Sequence, residues 1–240
     1  VKVHQAPVSV VIAVHNGERY LAEAIRSVLD QTLPPAELLI VDDGSSDGTP
    51  QVCADFGSEL RYLHLAHGGV AAALNAGIAI ASSEWLSFLD ADDLWSKDKL
   101  KRQFEALEEQ PDADMVFGHM RQFRSPELPG TQSPSDQSII PGFSRCTLLI
   151  RRSAMQQVGP FEEHWRVGEF VDWYLRAQDR GLREVMLNDI LLHRRLHENN
   201  MGRQDRTTGV DFARIIKKAL DRRRQVSGPD SGAGRIPRRE

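Results

Sequence analysis

The sequence predicts a single α/β domain with a mostly parallel central sheet and helices on both of its faces. Short apolar runs of strand length alternate with helix-period segments through the first half of the chain. Polar, turn-forming residues separate each run from the helix pattern that follows, the order that parallel crossovers require. The 240 residues, 40% hydrophobic and 27% charged, are ordinary for a globular fold with a real core.

The run "VSVVIAV" (8–14) reads as a buried strand, and Leu21, Ala24, Ile25, Val28 and Leu29 then recur at helical spacing. Pro34 and Pro35 stop that helix, and "ELLIV" (37–41) is the next strand. "SSDGTP" leads into a helix with Thr49 as N-cap and Pro50 at the first helical position. "LRYLHL" (60–65) is a third strand, 68–81 a small-residue helix suited to close packing, and "WLSFL" (85–89) a fourth strand. An amphipathic helix over 97–110 and the run "MVFG" (115–118) follow.

The alternation then breaks. Residues 124–142 are rich in Pro, Ser and Gly, and a loop of that length is usually a functional excursion or disordered. "CTLLIRR" (146–152) resumes strand character, 169–180 is helical, and 185–196 alternates as a strand does. The ordered domain is expected over 1–205, followed by a basic helix within 206–226 and a disordered tail over 227–240.

Net charge is −4, which gives no pull toward nucleic acid, and no apolar run approaches the ~20 residues of a membrane span. The N-terminus lacks a signal-peptide pattern, so a cytoplasmic location is expected, with peripheral membrane contact left open. Cys53 and Cys146 have no metal-ligand spacing and read as two reduced thiols.

Ligands of open parallel sheets bind at the carboxyl ends of the strands. Three polar clusters fall there: "HNGE" (15–18), "DDGSSD" (42–47) and "DADD" (90–93). Asp42 or Asp43 could accept a hydrogen bond from a base N–H, while Gly44 lets the chain turn sharply. Asp90, Asp92 and Asp93 repel one another unless a cation or donors sit among them. Carboxylates at that spacing can hold a hard divalent cation that keeps positions open for phosphate oxygens. A departing diphosphate needs such a cation, because its negative charge grows as the bond breaks.

Taken together, "VSVVIAVHNGERYLAEAIRSVLDQT", "LLIVDDGSSDGT" and "WLSFLDADDLWSKDKL" resemble, in order and spacing, the successive signatures of a family 2 glycosyltransferase with the GT-A (Rossmann-like) fold. The resemblance covers about the first hundred residues. It implies an inverting transferase that uses a nucleotide-diphosphate sugar, UDP-sugar favoured, with Mg²⁺ or Mn²⁺. The donor-binding half would end near 118 and the acceptor half run over 119–205. By position, Ala13, His15 and Glu18 would border the nucleoside, Asp43 would bind the base, Asp90 with Ala91 would approach the ribose or sugar, and Asp92 would hold the metal. "HRRLHENN" (193–200) is similar to a late family segment, which would set Arg195 toward the diphosphate and His197 on the metal. The family's acidic pair near the acceptor is incomplete in "VGEFVDWYLRA" (167–177), where Phe170 replaces the second acid.

Inversion needs a carboxylate to take the acceptor's proton. Glu169 is the first candidate and Asp172, three residues on and expected on the same helix face, the second. Trp165 and Trp173 flank the candidate base, either stacking on a sugar or packing in the core. The acceptor is left open among a glycan, a lipid carrier, a small molecule and a peptide side chain. Three rival readings stand beside this one. A nucleotidyltransferase lacks its Gly-rich basic loop here. A phosphate-accepting signalling domain would be about half this length. A catalytically degenerate nucleotide-sugar-binding module stays open because of Phe170.

Overall fold

A computed structural model of the chain describes residues 5–128, 138–198, 200 and 208–226. Elements follow in the order β1 (Ala6–Val14), α1 (Leu21–Leu29), β2 (Pro35–Asp42), α2 (Thr49–Asp55), β3 (Arg61–His64), α3 (Val70–Ile80), β4 (Trp85–Asp90), β5 (Leu94–Trp95), α4 (Lys99–Glu109), β6 (Met115–Arg124), β7 (Ile139–Gly142), β8 (Leu149–Arg151), α5 (Arg152–Val158), α6 (Glu169–Asp179), β9 (Glu184–Leu196) and α7 (Thr208–Val226). Most predicted elements lie within a residue or two of their expected ends. Helix α2 starts at Thr49 with Gly48 as its cap, one residue earlier than the sequence reading. The expected tail 227–240 lies outside the described residues.

The strands form one sheet in the order β3-β2-β1-β4-β8-β6-β9-β5, with β7 paired to β6. Strands β3, β2, β1 and β4 are mutually parallel, as the alternation predicts. Beyond β4 the sheet becomes mixed: β8 runs antiparallel to β4 and β6, β6 and β9 are parallel, and β5 is antiparallel to β9. The expected irregular stretch 124–142 is bounded by paired strands, because β6 runs on to Arg124 and β7, over Ile139–Gly142, pairs back on β6. Residues 129–137 lie outside the described residues.

Alternation along β1 divides the core. Val8, Val10, Ile12 and Val14 point to the face covered by α1, α2 and α4, whereas Val11 joins the face covered by α3, α5 and α6. Burial of this kind contributes roughly 25 cal/mol per Å² of apolar surface. Trp173 is fully buried in the second face and donates its indole N–H to the Gly159 carbonyl at 3.0 Å, so it packs the core. Phe170 also lies there, stacked on Trp173 and Tyr174.

Lys99 is enclosed beneath β4 and donates to Ser87 (2.8 Å) and Gln103 (2.9 Å). Gln103 in turn donates to the carbonyls of Val116 and Thr147. This polar node ties α4 to β4, β6 and the approach to β8 below the carboxyl end of the sheet.

Both cysteines are free and buried. Burial pushes the Cys53 thiol up to about 11, and burial followed by the charge of Asp90 drives Cys146 well above its usual range. Thiolate is the reactive form. Neither thiol is expected to react with DTNB at pH 8 in the folded protein, and both should react in 6 M guanidinium. One fast-reacting thiol in the native state would contradict this packing.

Candidate active site

The three polar clusters converge at the carboxyl ends of β1, β2 and β4. The first two loops are sewn together. Asn16, in the left-handed region at φ 52°, accepts the Ser46 N–H at 2.9 Å, and its own N–H donates to the Ser45 hydroxyl at 2.8 Å. The Gly17 N–H donates to Thr49 Oγ1, the Glu18 N–H to Asp47, and the Gly48 N–H to the Glu18 carboxylate at 2.7 Å. Glu18 therefore fixes the second loop. Gly44 has φ +74°, and a Cβ there would lie 2.9 Å from the His67 nitrogen, so only glycine fits this turn.

The adjacent acids of β2 have separate surroundings. Asp42 is buried on the β3 side. Burial acts to raise its carboxyl, but hydrogen bonds from Ser45 and Tyr62 prevail and hold it low. Asp43 accepts the Gly68 and Gly69 amides at 2.7 and 2.9 Å, just ahead of α3. His15 and His67 stand over it with ring centroids 4.4 Å apart, each with Nδ1 close to the Asp43 carbonyl. Ala13, partly exposed, pairs in register with Asp90 and so brings β1 beside the third cluster.

At the end of β4 the carboxylates separate by partner. Asp92 is partly exposed, and its Oδ2 lies 2.8 Å from His197 Nε2 and 3.3 Å from the Asn200 amide. Asp93 is buried and accepts the Arg195 N–H at 2.8 Å. Burial, then the charges of Asp92 and Asp90, push its carboxyl well above the usual range. Arg195 is also buried. Its guanidinium bonds the Asp92 carbonyl (3.0 Å) and Glu23 (2.7 Å) and lies over the Tyr20 and Phe123 rings. The arginine assigned to an anionic ligand thus clamps the acidic turn onto α1. Ala91 packs on the core.

Asp90 Oδ1 accepts two hydrogen bonds from Arg145, from Nε at 3.0 Å and Nη2 at 2.7 Å, and the third nitrogen of the same guanidinium bonds Glu169. Burial works against the charge on Arg145, but Asp90 and Glu169 outweigh it and raise its pKa. Arg145 thereby joins the acidic strand end to the first turn of α6. Carboxylate oxygens of Asp90 and Asp93 and the Cys146 sulfur lie within 4.8 Å of one another. Spacing along the chain relates neither 145 nor 146 to position 90, so sequence reasoning missed both. The only hint was an arginine at the mouth of an apolar strand.

Glu169 and Asp172 do not share their surroundings. Glu169 opens α6 and meets Arg145. Asp172 has 0% exposure, bonds Arg176 at 2.9 Å and faces Arg222 of α7 at 3.7 Å. One residue before Glu169, Gly168 has φ +86°, and a Cβ there would lie 2.8 Å from Ile215 of α7. The C-terminal helix is thus packed on the start of α6.

The chain matches the profile of Glycosyl transferase family 2 over residues 9–223. An uncharacterized glycosyltransferase of Rickettsia typhi is 29% identical over 205 residues, covering 80% of this chain and 64% of that protein. The glycosyltransferase GlyG of Streptococcus pneumoniae is 34% identical over 116 residues, 47% of this chain and 38% of that one. The chain spans less than two thirds of the length of the curated relatives it matches. Among solved structures, S. aureus TarS 1-349 in complex with UDP-GlcNAc superposes with a TM-score of 0.73 at 21% identity, over 89% of this chain and 65% of that one. The mannosyltransferase PcManGT of Pyrobaculum calidifontis, in complex with GDP-Man and Mn²⁺, superposes with a TM-score of 0.63 at 17% identity, over 95% and 66%. This chain, with its GT-A fold, belongs to glycosyl transferase family 2.

Proposed function

We propose that the chain transfers a sugar from a nucleotide-diphosphate sugar, a UDP-sugar before others, to a nucleophilic acceptor with inversion at the anomeric carbon. The observation that carries this reading is the Asp90–Arg145–Glu169 bridge, which places a carboxylate on a helix beside the strand end of the Asp92–His197 pair. In the reaction the acceptor's oxygen or other nucleophile bonds to the anomeric carbon as the carbon–oxygen bond to the diphosphate breaks. The electron pair leaves with the diphosphate, and the proton passes to Glu169. His15 and His67, above Asp43, border the nucleoside. Asp172, enclosed by Arg176 and Arg222, serves to fix α6.

The residues present fit a divalent cation. Asp92 Oδ2 and His197 Nε2 already converge, and the neighbouring Asp93 carboxyl is pushed up first by burial and then by the charges of Asp92 and Asp90. Asp92 and His197 would hold Mn²⁺ or Mg²⁺, which supplies charge neutralisation for the leaving diphosphate. Arg195 supports that pair from behind through the Asp92 carbonyl.

Thermal shift against UDP-, GDP- and dTDP-sugars, with and without Mn²⁺, tests the reading. At ligand concentrations of roughly 100 Kd, a rise of about 5 °C or more is expected for one nucleotide, enhanced by Mn²⁺, with sugar released or transferred. No shift with any donor would refute it. Binding without turnover under any acceptor would leave a nucleotide-sugar-binding module in its place. Phe170, the residue that keeps that alternative open, is committed to the core.

A further inference from the structure

Six of the eight large hydrophobic side chains exposed among the described residues lie on two segments that touch α6. Ile139, Ile140 and Phe143 sit on β7 and just after it, and the Phe143 ring packs 5.5 Å from that of Tyr174 in α6. Val210, Ile216 and Leu220 belong to α7.

Helix α7 has two different faces. The inner one buries Ile215 and Ala219 and sends Arg222 to Asp172 and Asp179. Lys218 is also turned inward, 5.6 Å from the Trp165 ring. On the outer one, helical geometry brings Ala213, Ile216 and Leu220 into an arc of about 60°. Lys217 and Arg224 border that arc on one side; Arg223, on the other, reaches back to Asp179 of α6 at 2.7 Å. The helix carries six basic residues and two acidic ones, and the side chains of Arg214 and Arg224 are 69% and 80% exposed. An apolar stripe edged by cations is what an interfacial helix needs.

We propose that the outer face of α7 docks on an anionic bilayer. The Ile216–Leu220 stripe enters the boundary between headgroups and acyl chains, and Lys217 and Arg224 meet lipid phosphates. The cationic border selects this occupant over a second copy of the chain, which would bring like charges together. Because Phe212 and Ile215 cover the residue before Glu169, docking sets the acceptor side of the site against the membrane. Resting on the proposed transfer reaction, this assigns the acceptor to molecules anchored in the lipid.

Co-sedimentation of the full chain with phosphatidylcholine vesicles, with and without 30% phosphatidylglycerol, tests the docking. Binding is expected at 50 mM NaCl to the anionic vesicles, at least about fivefold weaker to the neutral ones, and weakened in 500 mM NaCl. The double variant I216E/L220E should lose binding about tenfold or more, and K217E/R224E should lose the preference for anionic lipid. Both should keep the wild-type melting temperature and the thermal shift with UDP-sugar and Mn²⁺ measured without vesicles, which separates this proposal from the reaction itself. Absence of binding to anionic vesicles, equal binding by I216E/L220E, or a wild-type dimer that I216E/L220E dissociates would each overturn it.

Discussion

Asp92→Ala is expected to lower metal-dependent sugar transfer by about 10³-fold, equivalent to roughly 4 kcal/mol of transition-state stabilisation. The size follows from what the leaving group requires: charge on a departing diphosphate that is not neutralised cannot be carried away from the anomeric carbon. Arg195 cannot substitute, because its guanidinium is held by Glu23 and the Asp92 carbonyl. Arg145 cannot either, being divided between Asp90 and Glu169. The fold should survive, since Asp92 is partly exposed and its charge is among those that push the buried Asp93 carboxyl up. A change in melting temperature of no more than about 3 °C is expected. Transfer rates measured across Mn²⁺ concentrations decide the matter, and wild-type turnover in the variant would remove the metal role of Asp92.

Glu169→Gln and Asp172→Asn should fail in opposite ways. The glutamine keeps the size of the side chain but cannot take a proton, so a loss of 10²- to 10⁴-fold in transfer is expected, with donor binding retained. The asparagine leaves Arg176 and Arg222 facing a neutral group inside the protein. Breaking a buried pair from one side costs about 3–5 kcal/mol, somewhat less when an amide oxygen still accepts a hydrogen bond. A fall of about 5–10 °C in melting temperature is expected for Asp172→Asn, with much of the activity retained below the transition. Isothermal titration with the donor and calorimetry on both variants separate the two roles. A stable Asp172→Asn protein that binds donor and does not transfer would make Asp172 the base.

The donor half was readable because its information is local. The apolar run of β1, the Thr49–Pro50 helix start and the acids that end β4 each declare themselves within a few positions. The second half was less legible because its decisive contacts are long-range. Strand β7 is short and its pairing with β6 spans a polar stretch, so nothing periodic marks it. Arg145 reaches acids at 90 and 169 that only the fold assembles. Glu169 and Asp172, three apart on one helix, are ranked only narrowly by sequence; their surroundings differ through long-range partners, Arg145 at the first and Arg222 of α7 at the second. The family resemblance sets Arg195 toward the diphosphate, and only the fold reveals that its guanidinium also bonds Glu23 of the first helix.

The bridge through Arg145 also has a meaning for the cycle of turnover. Before reaction, one guanidinium stands between two carboxylates, leaving that trio with an excess negative charge. In the proposed reaction Glu169 takes up the acceptor's proton, Arg145 and Asp90 remain as a balanced pair, and the trio passes from one net negative charge to none as the nucleoside diphosphate departs. On that reading the trio carries its repulsion before transfer and is relieved of it afterwards, and release of the proton from Glu169 restores the starting charge.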